Sequence, residues 1–111
     1  MEKDIIQKIS DILEKRKDAT PSDSYVKNLY DQGREGILKK VEEEALELLQ
    51  ASNFKGEHRK EKIVHEVADL WFHTLVLLSY ENIKSIEILK ELEKRFGISG
   101  IVEKASRKDK L

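Results

Sequence analysis

The first part of the chain has apolar residues at helical spacing. Separations of three and four residues place these side chains on one face of a helix and leave charged residues on the other. The apolar positions are Ile5, Ile6, Ile9, Ile12 and Leu13. The pattern predicts an N-terminal amphipathic helix within residues 1–19, extending over about residues 2–17.

A short second helix is predicted between Thr20 and Gly33. Thr20 is suited to the N-cap, Pro21 to the first helical position, and Asp23 to the return hydrogen bond of a capping box. Gly33 fits the left-handed conformation that follows many helix ends, so we expect the helix to end there.

The third predicted helix spans about residues 34–51 and the fourth about residues 58–80, with a turn at residues 53–56 between them. The apolar face of the third helix carries Ile37, Leu38, Val41, Ala45, Leu48 and Leu49. From Val67 onward the fourth helix is apolar nearly all round, which is typical of a helix buried on most sides.

A fifth helix and a tail complete the chain. The helix is predicted over about residues 84–96 and ends at Gly97. Residues 98–111 are small and basic, and we expect a loop there with a short helical turn. Short connections make neighbouring helices antiparallel. The prediction is therefore a single all-α domain over residues 1–111, folded as an antiparallel helical bundle.

Composition supports this class and excludes several functions. One proline and five glycines in 111 residues are few for a protein of many strands. The absence of cysteine excludes disulfides, zinc–thiolate sites and thiol nucleophiles. Lys and Arg number 21 against 22 Asp and Glu, a net charge of −1, which argues against nucleic acid as the partner.

The sequence also predicts a cytoplasmic protein that does not enter a membrane. Residues 1–4 lead into an amphipathic segment rather than an apolar one, so we expect no secretory signal peptide. The longest apolar stretch, residues 67–78, contains Asp69 and His73 and is too short to cross a bilayer.

Acidic residues form a stripe on the third predicted helix. Lys40, Glu43, Glu44 and Glu47 are separated by three, four and seven residues, which places them together beside the apolar face. Like charges at this spacing repel each other. Exposure to water would make the repulsion tolerable, whereas partial burial would require a cation.

A second stripe lies on the fourth predicted helix. Glu66, Asp69 and His73 follow the same spacing within or beside the apolar stretch. An unpaired carboxylate there would cost several kcal/mol or become protonated. A cation shared between the two stripes removes both difficulties. Because the acidic ligands offer only oxygen and cysteine is absent, a hard ion such as Mg²⁺ or Mn²⁺ is favoured over zinc.

Each of these features also has a purely structural explanation. A row of glutamates is often only a solvated helix face. Asp69 could pair with a lysine or an arginine, and His73 could be a core residue with satisfied hydrogen bonds. The coincidence of Glu-Glu-x-x-Glu on one helix with Glu-x-x-Asp on the next, joined by a short turn, favours the metal site.

The acidic motifs resemble those of the MazG-like all-α nucleotide pyrophosphohydrolases. They are Glu43-Glu44-Ala45-Leu46-Glu47 and Glu66-Val67-Ala68-Asp69. Further positions are similar to the phosphoribosyl-ATP pyrophosphohydrolase family of histidine biosynthesis, over about residues 20–107. These are Ser24-Tyr25, Gly33, Lys40-Val41, Leu70, His73, Gly97-Ile98-Ser99-Gly100 and Glu103-Lys104-Ala105-Ser106-Arg107.

The resemblance implies a function and a set of residues. The reaction would be the hydrolysis of phosphoribosyl-ATP to phosphoribosyl-AMP and pyrophosphate, with water as the attacking group. The implied metal ligands and catalytic residues are Glu43, Glu44, Glu47, Glu66 and Asp69. The implied substrate contacts are Ser24, Tyr25, Lys40, His73, Lys104 and Arg107. A homodimer that covers the apolar fourth helix is implied as well.

Alternatives remain at this stage. Lys40 could serve only in a helical ion pair with Glu44, and Lys104 and Arg107 could belong to a solvated tail. A house-cleaning pyrophosphohydrolase of broader substrate range would carry the same acidic motifs. A non-enzymatic helical adaptor could use the charged stripes to bind a partner, although a binding module gains nothing from buried acids.

Overall fold

A computed structural model describes residues 4–18 and 24–97 of the chain. All regular secondary structure in these two ranges is helical, which confirms the all-α class. The helices are α1 (Ile5–Arg16), α2 (Tyr25–Asn53), α3 (Arg59–Tyr80) and α4 (Ser85–Phe96). None of them combines the length and the apolar character that crossing a membrane requires.

The side chains at the two ends of helix α1 explain where it begins and ends. The Asp4 side chain accepts a hydrogen bond from the Gln7 backbone N–H at 2.9 Å and so caps the first turn. Lys15 and Arg16 occupy the last turn, where positive charge complements the exposed carbonyl groups. The N-terminal amphipathic helix is thus confirmed over the part of it that the structure describes.

Helix α2 differs from the prediction at its start. The residues predicted to begin it, Thr20, Pro21 and Asp23, lie outside the described ranges. Ser24 has extended backbone angles, and its side chain accepts a hydrogen bond from the Lys27 backbone N–H at 3.2 Å. Ser24 is therefore the N-cap, and the described helix starts at Tyr25.

The second and third predicted helices both lie within α2, which is kinked at Gly33. Gly33 has non-helical angles (φ 81°, ψ −176°), and helical geometry resumes directly afterwards. The predicted helix end at Gly33 is confirmed, because a positive φ favours glycine. The prediction of two helices is confirmed as well: Tyr25 and Glu44 both lie close to His73, so the chain reverses its direction at Gly33.

The part of α2 after Gly33 and α3 form an antiparallel pair, connected by residues 54–58. Their contacts run in opposite directions along the chain: Arg34 binds Glu81 near one end, at 2.8 Å, and the pair closes at the connection. The Tyr30 hydroxyl joins three helices, because it contacts the backbone carbonyl of Leu13 at 3.1 Å and Ser79 Oγ at 2.9 Å. These bonds fix the register of α1 and α3 against α2.

The core lies away from the connection, on the side where α1 packs against the α2–α3 pair. It consists of Leu13, Val26, Leu29, Tyr30, Ile37, Leu75 and Val76. Helix α4 starts after a turn at residues 81–84 and ends at Gly97, whose φ of 64° is left-handed. The predicted bounds of α3 and α4 are confirmed to within about a residue.

One apolar surface is left uncovered in the single chain. Val64 and Trp71, two turns apart on α3, are both exposed, Trp71 by 59%. Leu46 and Leu49 on α2 are exposed as well. Leu46 and Leu49 lie on the outer side of α2, away from the outer side of α3, so we call only Val64 and Trp71 the open face. The sequence predicted a homodimer that covers α3, and that covering stays a prediction.

Candidate metal centre

Four carboxylates meet between α2 and α3, close to the connection between the two helices. Glu44 and Glu47 come from α2, one turn apart, and Glu66 and Asp69 come from α3, also one turn apart. One ligand atom from each of the four lies within 4.8 Å of the others. The two predicted acidic stripes thus face one another, as their spacing and the antiparallel pairing require.

The cluster is partly removed from water. Glu44 is only 6% exposed, and its Oε2 atom is buried without a hydrogen-bond partner. The Oε1 atom of Glu66 is in the same situation. A buried acceptor without a partner is costly, so these two oxygens indicate that the protein alone does not complete the site.

Burial and mutual repulsion shift the acid–base properties of the cluster. Burial, followed by the hydrogen bond and the charge of Glu47, raises the pKa of Glu44 from 4.5 to about 7. The pKa of Glu66 is also raised, first by burial and then by the charge of Glu47. The four groups therefore resist carrying four negative charges together unless a cation is present.

These residues fit a hard divalent cation. Carboxylate oxygens are the ligands that Mg²⁺ and Mn²⁺ prefer. The two unpartnered oxygens lie on opposite helices, so one ion between the helices would satisfy both and relieve the repulsion. The donor set thus matches the ion that the sequence predicted.

Glu43 lies outside the four-carboxylate cluster. Its carboxylate is 3.2 Å from the Lys40 Nζ atom, one turn earlier on α2. The hydrogen bond to Glu43 raises the pKa of Lys40. The helical ion pair of Lys40 is therefore formed with Glu43, not with Glu44 as the sequence suggested, because adjacent residues point about 100° apart round a helix.

The Ser24–Tyr25 motif and His73 come together at the edge of the cluster. Ser24 is buried as the cap of α2, whereas Tyr25 is 51% exposed. The Tyr25 hydroxyl lies 2.9 Å from His73 Nε2. His73 is 5% exposed, and its Nδ1 atom lies 2.8 Å from the backbone carbonyl of Asp69. Both ring nitrogens are occupied within the protein.

The predicted basic tail lies beyond the last described residue, Gly97. Lys104 and Arg107, together with all of residues 98–111, lie outside the described ranges. Their assignment to the substrate stays a prediction.

One residue beside the cluster was missed by the sequence analysis. His65 Nε2 lies 3.2 Å from an Asp69 carboxylate oxygen, and His65, Glu66 and Asp69 form a second group whose ligand atoms lie within 4.8 Å of one another. The signal was available, because His65 and Asp69 have the four-residue spacing of neighbours on a helix face.

Comparison with known proteins gives consistent results. Residues 6–96 match the model of a family described as phosphoribosyl-ATP pyrophosphohydrolase. A phosphoribosyl-ATP pyrophosphatase of Chromobacterium violaceum is 51% identical over 108 residues, which cover 97% of each chain. A protein of the same name from Ruthia magnifica is 48% identical over 94% of this chain and 96% of its own. Another, from Neisseria meningitidis serogroup B, is 48% identical over 93% of this chain and 94% of its own.

Proposed function

The chain belongs to the phosphoribosyl-ATP pyrophosphohydrolase family, and we propose on that basis that it hydrolyses phosphoribosyl-ATP to phosphoribosyl-AMP and pyrophosphate, a step of histidine biosynthesis. The observation that supports the chemistry most directly is the cluster of four facing carboxylates with two buried, unpartnered oxygens. Cytoplasm, where nucleotide substrates are made and used, is the location that fits this role.

We propose that Glu44, Glu47, Glu66 and Asp69 hold Mg²⁺, or Mn²⁺ in its place. When bound, such an ion lowers the pKa of a water molecule and neutralises charge on the departing pyrophosphate. The protein's own contribution is placement: two helix turns hold the four carboxylates within 4.8 Å of one another. Water attacks phosphorus and the anhydride bond breaks, with no covalent enzyme intermediate, since the sequence has no cysteine and no serine in a recognisable nucleophile motif.

Basic and polar groups would bind the rest of the substrate. Lys40, held by Glu43 at the side of the cluster, is placed to contact a phosphate. Tyr25 offers a half-exposed hydroxyl at the edge of the same cluster. We assign the second phosphate of phosphoribosyl-ATP to the tail residues Lys104 and Arg107, because a dianion away from the metal needs cationic partners.

A substrate comparison tests the function. Pyrophosphate release is measured from phosphoribosyl-ATP, ATP and dUTP at equal concentration with Mg²⁺. We expect rapid release from phosphoribosyl-ATP and much slower release from the other two. Comparable rates on ATP would favour a house-cleaning enzyme and contradict the assignment. Arg107→Ala should slow phosphoribosyl-ATP selectively, and an equal loss on all substrates would place Arg107 at the shared triphosphate instead.

A second experiment tests the metal ligands. Asp69→Asn keeps the size of the side chain and removes its charge, so Mg²⁺-dependent turnover should be lost while the fold survives. Glu42→Gln is the matched control, because Glu42 is exposed on α2 and outside the cluster. Near-normal turnover of the Asp69 variant would overturn the metal assignment.

We propose further that two copies pair through the open face. Val64 and Trp71 remain exposed on one side of α3 in the described part of the chain, and exposed apolar patches mark protein interfaces. A twofold pair would bury the same surface from both subunits and complete the helical bundle.

A further inference from the structure

His73 is buried beside the carboxylate cluster, yet the metal centre does not use its ring nitrogens. The Nδ1 atom lies 2.8 Å from the Asp69 carbonyl oxygen and 3.9 Å from Glu44 Oε1, which is beyond hydrogen-bond distance. The ring of Phe72 packs edge-on against that of His73, with centroids 5.1 Å apart. The imidazole is thus fixed in position by its own helix.

The contact with Asp69 determines which nitrogen carries the proton. A carbonyl oxygen can only accept a hydrogen bond, so Nδ1 must be the donor. In the neutral imidazole, Nε2 then has a lone pair and no hydrogen. The Tyr25 hydroxyl, 2.9 Å from Nε2, donates its hydrogen to His73 when the imidazole is neutral.

This arrangement limits what Tyr25 can offer to a ligand. Its only hydroxyl hydrogen points to His73, so its oxygen is left as an acceptor. Phosphate oxygens are acceptors too and would gain nothing from it. A sugar hydroxyl has a hydrogen to donate and would form a good bond. Tyr25 is half-exposed beside the cluster, so its oxygen is accessible to a ligand bound there.

We propose that His73 is a positioning residue, which holds the Tyr25 hydroxyl so that its oxygen accepts a hydrogen bond from a sugar hydroxyl of the substrate. The inference rests on the proposed function for the identity of the substrate, and on the Tyr25–His73–Asp69 chain for the geometry. It assigns His73 a role through Tyr25, with no direct contact to the substrate.

Four variants separate this role from a structural one. Tyr25→Phe removes the hydroxyl. His73→Asn keeps a donor near the Nδ1 position but removes the acceptor for Tyr25, whereas His73→Gln places an amide oxygen near the Nε2 position. His58→Asn is the matched control, because His58 is an exposed histidine at the start of α3, in a left-handed conformation that asparagine tolerates.

The expected result is a change in KM rather than in kcat. Tyr25→Phe and His73→Asn should each raise KM for phosphoribosyl-ATP about fivefold to tenfold, as expected for one hydrogen bond, with kcat changed by less than about twofold. The double variant should be no worse than Tyr25→Phe alone, because both changes remove the same contact. His73→Gln should recover most of the loss. Additive effects, or a loss confined to kcat, would overturn the proposal.

Product inhibition distinguishes a sugar from a phosphate. Phosphoribosyl-AMP carries sugar hydroxyls, and pyrophosphate carries none. Tyr25→Phe should weaken inhibition by phosphoribosyl-AMP and leave inhibition by pyrophosphate unchanged. Weaker inhibition by pyrophosphate would show that Tyr25 donates to a phosphate and would overturn the proposal.

A spectroscopic measurement tests the geometry without turnover. Nitrogen-15 NMR of the full chain at pH 8 should show His73 protonated at Nδ1, with an Nε2 resonance that moves when Tyr25 is changed to phenylalanine. The opposite tautomer, or an imidazolium with hydrogen on both ring nitrogens, would overturn the proposal. A wild-type protein without activity on phosphoribosyl-ATP would instead refute the proposed function, and the NMR result would still decide whether His73 holds Tyr25.

Discussion

Replacement of Glu44 by glutamine should stabilise the metal-free protein at alkaline pH and have little effect at acidic pH. The pKa of Glu44 is about 7 in the folded protein, against 4.5 for an unperturbed glutamate. The folded state therefore holds this proton more tightly than the unfolded state does. It follows that the free energy of unfolding falls as the pH rises from about 4.5 to 7.

The size of the effect follows from the same shift. One pKa unit corresponds to about 1.4 kcal/mol, so ionisation of Glu44 lowers the stability of the folded protein by up to about 3 kcal/mol above pH 7. Glutamine at this position carries no charge at any pH and avoids the penalty. For a domain of this length, the gain corresponds to roughly 10 °C in the melting temperature.

Thermal unfolding in EDTA at pH 5 and pH 8, at fixed protein concentration, measures this difference. Glu44→Gln should melt higher than the wild type at pH 8 and close to it at pH 5, whereas the exposed Glu42→Gln should match the wild type at both. Mg²⁺ should raise the melting temperature of the wild type more than that of Glu44→Gln. A lower melting temperature for Glu44→Gln at pH 8, or an equal gain at both pH values, would refute the reasoning.

Three further predictions concern the exposed apolar face, the C-terminal tail and the core. Trp71→Glu should convert a dimer to a monomer in equilibrium sedimentation; an unchanged mass would place the interface elsewhere. Deletion of residues 98–111 should raise KM for phosphoribosyl-ATP, and unchanged KM and kcat would remove the tail from the site. Tyr30→Phe should lower the free energy of unfolding in urea by about 1–3 kcal/mol, because the Leu13 carbonyl and Ser79 lose their buried partner; an unchanged midpoint and slope would contradict that.

The elements that the sequence predicted best are those whose signals are local. The apolar spacing of α3 and α4 and the left-handed Gly97 need no information from the rest of the chain. The start of α2 was harder, because Thr20 and Ser24 are both suitable caps. At Gly33 the local need for a positive φ was enough to predict where the two helical parts of α2 meet.

Some features of the candidate site could likewise be predicted from local spacing, and others could not. Helical spacing and antiparallel pairing were enough to predict that Glu44, Glu47, Glu66 and Asp69 face one another. Spacing could not separate Glu43 from Glu44, since both lie near one stripe and only the packing of α3 decides which side chain points inward. The bond between Tyr25 and His73 depends on the register of α2 against α3, which is set by distant core contacts such as those of Tyr30.

The candidate metal centre lies outside the main hydrophobic core. The core residues Ile37, Leu75 and Val76 lie on the far side of His73, and between the cluster and the connection only Ala51 is a buried hydrophobic residue of the α2–α3 pair. This half of the pair contains repelling carboxylates on its inner side and the open face on its outer side. A cation bound between the helices would remove the repulsion and connect the two helices through shared ligands. A second copy of the chain would cover the open face. Because both steps stabilise the same helical segments, each should make the other more favourable. The four carboxylates are thus close enough together to bind an ion, and apolar packing does not occupy the place of that ion.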